Sequence, residues 1–370
     1  MSSFLVFLSA VFCAATALAQ SVENHIFTPE QNAYMAEQNI RATEKIINEG
    51  LFTDPSNPLT FELITTSKAR PFAEFERAGY LIFSSQVSFQ SRKAKQMMAK
   101  ELPPETILVV FTYSDNATHI QNVRDEYSQW LDADRLKVVY LPTARNGFWA
   151  RDGVPVPVWR EDKKSGDFFF SVVDAKYYHE FEADQEIGDL FSAKVTKHDY
   201  FFEGGNFMAN SKNECIIVDK TATQEIPSFI FQDFYGCDKL LRLPHVKGIG
   251  HADESIKFVD DKTVLTDEPS YVGELEYAGY TVHELPRPWG RFETYVNSLL
   301  VNGVLYVPIF GQPTDKEALE VYQKLGFDKV IGIDSTILSN NGAGSLHCIT
   351  MTYPDVPFHQ LLEAFGGIEL

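Results

Sequence analysis

Asn297-Ser298-Leu299-Leu300-Val301-Asn302-Gly303-Val304-Leu305-Tyr306-Val307-Pro308-Ile309 consists of two apolar runs on either side of an Asn-Gly pair. Asn-Gly accepts the positive φ angles of a two-residue hairpin turn, so the stretch reads as two antiparallel strands, Asn297 to Val301 and Val304 to Ile309. Thr314 to Leu325 follows as a helix and Val330 to Ile333 as a third strand. Hairpin, helix and strand make one unit.

The unit recurs along the chain. Ile256 to Val259 and Val264 to Thr266 flank a second hairpin turn, Asp260-Asp261-Lys262, before a helix from Pro269 to Tyr280 and a strand from Thr281 to Leu285. Glu214 to Val218 reads as a strand and Thr223 to Tyr235 as a helix. Upstream, strands at Leu81 to Ser85, Ile107 to Tyr113 and Leu136 to Leu141 alternate with helices at Ser88 to Leu102 and His119 to Leu131. The second of these helices carries Ile120, Val123, Tyr127 and Leu131 on one face. The hairpins are too frequent for a simple doubly wound parallel sheet, so the class is mixed α/β with units arranged around a centre. No residue-level repeat marks those units. One domain is expected over 56–370, behind a helical extension at 20–55 whose helix, Pro29 to Glu49, ends at Gly50.

Charge and cysteines narrow the function. The 370 residues carry a formal net charge of −19, which argues against nucleic acid, whose phosphates need Lys and Arg, and mildly favours cationic ligands. Residues 1–19 read as a secretory signal: Phe4 to Ala15 is apolar and Ala17-Leu18-Ala19 is a small-x-small cleavage site, although no Lys or Arg precedes the run. Phe12 beside Cys13 speaks against a lipoprotein anchor, and no later stretch is long and apolar enough to span a bilayer. A secreted or periplasmic protein is expected, with no membrane association after cleavage. Past the signal stand Cys215, Cys237 and Cys348. An odd count in an oxidising compartment implies one unpaired thiol. Cys215 and Cys237 can pair with each other, which the sequence leaves open; if they do, Cys348 is the free one.

Four segments carry chemical groups. Trp149-Ala150-Arg151-Asp152-Gly153 sets a carboxylate beside an aromatic face, an arrangement suited to a flat cation, although alone it is equally a surface Arg–Asp pair. Phe202-Glu203-Gly204-Gly205-Asn206 places Glu203 before a double glycine that marks a tight turn or close backbone approach. In Gly250-His251-Ala252-Asp253-Glu254, an extended backbone would point His251 and Asp253 to one face. They could serve as base and cation anchor, or as two ligands of a metal site lacking a clear third. Last comes Gly342-Ala343-Gly344-Ser345-Leu346-His347-Cys348, where glycines such as Gly344 let backbone approach a small ligand and Cys348 follows as a candidate nucleophile. On a strand, adjacent residues face opposite ways, which excludes His347 as the base for Cys348 and leaves His251.

Trp-x-Arg-Asp, Glu-Gly-Gly-Asn, Gly-His-x-Asp and Gly-x-Gly-x-x-His-Cys-x-Thr, in that order, resemble the agmatine deiminase and Porphyromonas-type peptidylarginine deiminase family of the pentein superfamily, from about Phe61 to Tyr353. The resemblance implies a pseudo-fivefold α/β propeller of ββαβ-like units around a central site. It implies that Cys348 is the nucleophile, His251 the general acid/base, Asp152 and Asp253 the guanidinium carboxylates, and Glu203 the partner of the histidine. Trp149 would stack on substrate and Asn297 would contact it. The implied reaction turns a guanidino group into a ureido group and ammonia, with no metal or organic cofactor. The partner would be a small cationic guanidino compound or an arginine-containing peptide or protein. An amidinotransferase with the same nucleophile, or an idle arginine-binding protein, are the alternatives. The sequence departs from the agmatine deiminase pattern at Gly153-Val154-Pro155. It also has no arginine between Asp167 and Tyr200, where Porphyromonas-type enzymes grip a terminal carboxylate. The first departure bears on the geometry of that loop; the missing arginine favours agmatine, which has no carboxylate to grip, whereas export favours arginine in peptides.

Overall fold

The computed structural model describes residues 22–49, 68–179 and 181–359. The signal-like segment and the expected boundary near residue 55 lie outside these residues. Seventeen strands form five small sheets among the described residues. The opening stretch behaves as read. Leu299–Val301 and Val304–Ile309 pair antiparallel, Asn302 and Gly303 turn between them with φ of 45° and 82°, and the helix Thr314–Gln323 leads to Lys329–Asp334, parallel to the second strand.

The same ββαβ order builds the other sheets. Ile256–Phe258, Thr263–Thr266 and Thr281–Glu284 form one, and Met208–Ala209, Glu214–Asp219 and Lys239–Pro244 another. Val156–Glu161, Phe168–Lys176 and Lys194–Phe201 form a third, with Ala69–Pro71 added at its edge. The fifth joins the two ends of the domain: Met351–Pro354 pairs antiparallel with Ala78–Ser84, followed by the parallel strands Ile107–Thr112 and Leu136–Tyr140.

Alternation along each strand closes the five sheets into a ring. Leu81 and Phe83 share a buried cluster with Leu299 and Val301, whereas Tyr80 and Ile82 share another with Phe170 and Val172. Val158 and Val173 pack with Ile217; Ile216 and Val218 pack with Ile256 and Val264; Leu265 packs with Leu300 and Leu305. Each sheet thus buries one face against the preceding unit and one against the next. A strand buried on both faces needs an unbroken apolar run, which is why Val304–Ile309 and Ile107–Thr112 were legible, whereas Val156–Glu161, Phe168–Lys176, Lys194–Phe201 and Lys239–Pro244 were not read as strands.

Two expectations change. Thr223 to Tyr235 is not one helix: Pro227 interrupts it, leaving a turn at Thr223–Glu225 and a short helical stretch from Ser228 to Tyr235. Cys348 lies in a turn over 346–349 rather than on a strand, which begins only at Met351. Cys215 and Cys237 form a disulfide, and among the described residues the free cysteine is Cys348. No helix among the described residues is long and apolar enough to cross a membrane.

Candidate active site

Each unit is entered through a loop, and the five loops close on one another. Gly205 N–H donates to Asp152 Oδ1 at 2.9 Å, Ala252 N–H to Asn206 Oδ1 at 3.1 Å, and Asn297 Nδ2 to the Asp253 carbonyl at 3.2 Å. His347 N–H donates to Asn297 Oδ1 at 3.2 Å, and Arg151 N–H to the Cys348 carbonyl at 3.0 Å. This circuit runs once through all five units and brings Trp149, Asp152, Glu203, His251, Asp253, Asn297 and Cys348 together, all nearly buried. The equivalence is one of position in the unit and not of residue type, so no sequence repeat shows it.

Cys348 Sγ lies 3.2 Å from Asn297 Nδ2 and 3.7 Å from Asp253 Oδ2. Burial first, then the carboxylates of Asp253, Glu254 and Asp152, push its thiol well above the ordinary range. Glu254, buried beside them, is itself raised to about 7, chiefly by burial. Asn297 was expected at the substrate. Instead, Nδ2 is committed to Asp253 and Cys348, and Oδ1 receives His347 N–H and, at 3.4 Å, Cys348 N–H. An amide has two donors and two acceptor sites, so Asn297 is fully used in positioning the loop that carries Cys348.

His251 has an extended backbone, but Ala252–Glu254 turns as a 3₁₀ helix, so strand alternation is not what brings His251 and Asp253 together. Nδ1 of His251 lies 3.7 Å from Asp152 Oδ1 and 4.0 Å from Asp253 Oδ1; Nε2 lies 3.1 Å from Glu203 Oε2 and 3.0 Å from Lys220 Nζ. Glu203 and Lys220 are themselves ion-paired. Burial and the Lys220 charge oppose a protonated ring, yet Glu203 and Asp152 outweigh them and the His251 pKa is raised. Glu203 is held below the usual carboxylate range against the cost of burial by Lys220 and His251.

His347 belongs to the site after all. Its Nδ1 contacts Asp253 Oδ2 at 2.7 Å and its Nε2 contacts Glu74 Oε2 at 2.6 Å. Both nitrogens are engaged by carboxylates, and this occupancy, not strand geometry, keeps the ring from Cys348. Burial opposes ionisation of Asp253, but His347 outweighs it and lowers the carboxyl's pKa. Glu74 is anchored in turn by Lys257 and by Leu300 N–H at 2.6 Å. Glu74, Lys220 and Lys257 carry no motif. Only Lys220 had a visible cue, a charge directly after the apolar strand Glu214–Asp219.

The glycines serve close approach, as read. A Cβ on Gly205 would lie 2.7 Å from Asp152 Oδ1 and 2.8 Å from His251 Nδ1, and one on Gly344 would lie 2.8 Å from both the Trp149 ring and His25 Nδ1. Gly205→Ala should cost about 1–3 kcal/mol of stability and lower turnover, read as a fall in Tm and in kcat together.

The extension at 20–55 is not simply appended. Its helix Pro29–Asn48 docks through buried Asn39, which bonds to Phe201 N–H and to the Phe201 and Ala222 carbonyls. Upstream of that helix, His25 enters the site. Its ring lies 3.6 Å from that of Trp149, centroid to centroid, and its Nε2 is 2.9 Å from Asp152 Oδ2.

Five ββαβ units closed around a buried cysteine, histidine and carboxylates define the pentein class of guanidino-modifying enzymes. Residues 85–354 match the Porphyromonas-type peptidyl-arginine deiminase family, and the chain belongs to that family. It is a hydrolase of the guanidino-group deiminase kind. A Streptococcus mutans relative is 33% identical over 96 residues, 25% of this chain and 26% of that one. The agmatine deiminase of Pseudomonas syringae pv. tomato is 22% identical over 296 residues, 62% of this chain and 79% of that one. A solved agmatine deiminase of Campylobacter jejuni shares the fold at a TM-score of 0.64 and 18% identity, over 80% of this chain and 100% of that one.

Proposed function

We propose that this protein is exported and hydrolyses the guanidino group of agmatine or of arginine in peptides to a ureido group and ammonia, with Cys348 carrying the substrate covalently. One observation carries the reading. Asp253 Oδ1 and His251 Nδ1 are buried beside Cys348 with no hydrogen-bond partner among the described residues, and Asp152 Oδ2, equally buried, meets only the His25 ring, at 2.9 Å. Buried carboxylate oxygens are costly to leave unmatched. A guanidinium, planar and cationic with a fork of N–H donors, matches two carboxylates and fixes its central carbon near the thiol.

The geometry suggests how the steps run. The free protein holds Cys348 as a thiol, because burial and the carboxylates of Asp253, Glu254 and Asp152 disfavour the thiolate. A bound guanidinium reverses that local balance and favours the thiolate, the thiol proton passing to His251, which becomes the imidazolium. Sγ adds to the central carbon, and the C–N bond to one nitrogen breaks as Nδ1–H of His251 protonates it, releasing ammonia. Neutral Nδ1 then takes a proton from water, whose oxygen attacks the thiouronium carbon; the C–S bond breaks and the thiol and ureido product form. Export is supported by the signal-like residues 1–19 and by the Cys215–Cys237 disulfide, a bond of oxidising compartments.

The test is ureido and ammonia release from agmatine, free arginine, and peptides with internal or terminal arginine, in buffer free of amine acceptors. Equimolar ureido product and ammonia from at least one of these is expected. Product that requires an amine acceptor would mark an amidinotransferase instead.

A further inference from the structure

We infer that residues Val22–Phe27 form an intramolecular strap that competes with substrate, with His25 standing in for the guanidinium. The inference rests on the proposed deimination and adds its regulation. The His25 side chain has no exposure, lies against Trp149, and brings Nε2 to Asp152 Oδ2, one of the two carboxylate oxygens available to a guanidinium. Its ring is 5.9 Å from that of His251. Imidazole is a flat nitrogen heterocycle, and it takes the place that a flat cation would take between the aromatic and the acid.

The strap is held by specific contacts. His25 N–H donates to the Gly342 carbonyl at 2.9 Å, and Trp149 Nε1–H donates to the Glu23 carbonyl at 2.9 Å. Phe27 packs on Tyr178 and His179. A cavity of about 310 Å³ lies on the outer side, bordered by Val22, Glu23, Arg145 and Trp149. Cys348, 1% exposed, is not among its lining residues. Glu23 and the Trp149 indole border this cavity, and His25, which does not line it, contacts both Trp149 and Asp152. The Asn39 bonds hold the helix Pro29–Asn48 independently of the strap, so the strap can leave while the helix stays docked.

A competing segment reduces the fraction of open protein, so apparent KM rises by that fraction while saturating substrate restores kcat. The test compares full-length wild type with His25→Ala, which removes the occupant, and Phe27→Ala, which loosens the strap outside the carboxylate pair. Both should lower KM for ureido formation by about tenfold or more with kcat within about threefold. Both should also accelerate alkylation of Cys348 by iodoacetamide about tenfold, a readout that needs no deimination. Unchanged or raised KM together with unchanged alkylation, in variants that melt cooperatively near the wild type, would overturn the strap. Faster alkylation without ureido product from any substrate would uphold the strap and remove the deiminase reading.

Discussion

Cys348→Ala and Cys348→Ser should fold as the wild type does and lose ureido formation by at least about 10⁴-fold, or about 5.5 kcal/mol of transition-state stabilisation. The fold should tolerate the change because Cys348 forms no disulfide and its loop is pinned elsewhere: Asn297 Oδ1 receives two backbone N–H groups, and Thr350 Oγ1 donates to the Leu346 carbonyl at 2.9 Å. Serine is isosteric, yet its hydroxyl is a far weaker acid than a thiol. Among the acids that already suppress ionisation of the thiol, the alkoxide has no access. Ureido release measured alongside thermal melting checks both halves. A serine variant with near-wild-type turnover would mean that the thiol does not attack.

His251→Gln should reduce kcat by about 10³-fold, within the usual range for losing a general acid–base group. The side chain is close to isosteric and retains hydrogen-bonding capacity toward Glu203 and Lys220, so the ion pair beneath it survives. What disappears is the proton that Nδ1 delivers to the leaving nitrogen and then recovers from water. The pH profile should confirm the assignment. Lys220 opposes the charged ring at 3.0 Å, so Lys220→Met should move the limb governed by His251 to higher pH. A profile moved to lower pH, or a glutamine variant with wild-type kcat, would assign the proton transfers to another group.

The parts of the molecule that were legible have a common cause. Strands buried between two seams must be apolar throughout, so Val304–Ile309 and Ile107–Thr112 stood out, and Asn302-Gly303 announced the turn. Lys194–Phe201 did not, because it carries three charged residues and is only partly buried. The Cys348 turn was misread for the opposite reason. Leu346 and Ile349 are apolar because they fill the seam that also holds Leu299, not because the backbone is extended. Asp152, Glu203, His251, Asp253 and Cys348 were found through local motifs. Glu74, Lys220 and Lys257 reach the centre from outside any motif, and His25 arrives from the N-terminal extension. Their roles exist only through the ring closure, which places them against carboxylates and histidines far away in sequence.

The most direct test of the central claim, that Cys348 attacks the guanidinium carbon, is peptide mapping by mass spectrometry of the wild type quenched in acid during turnover. A substrate-derived mass increment confined to the peptide containing Cys348 is expected, and it should disappear when substrate is exhausted. An increment on any other side chain, or product formation with Cys348 unmodified at every quench time, would contradict that claim.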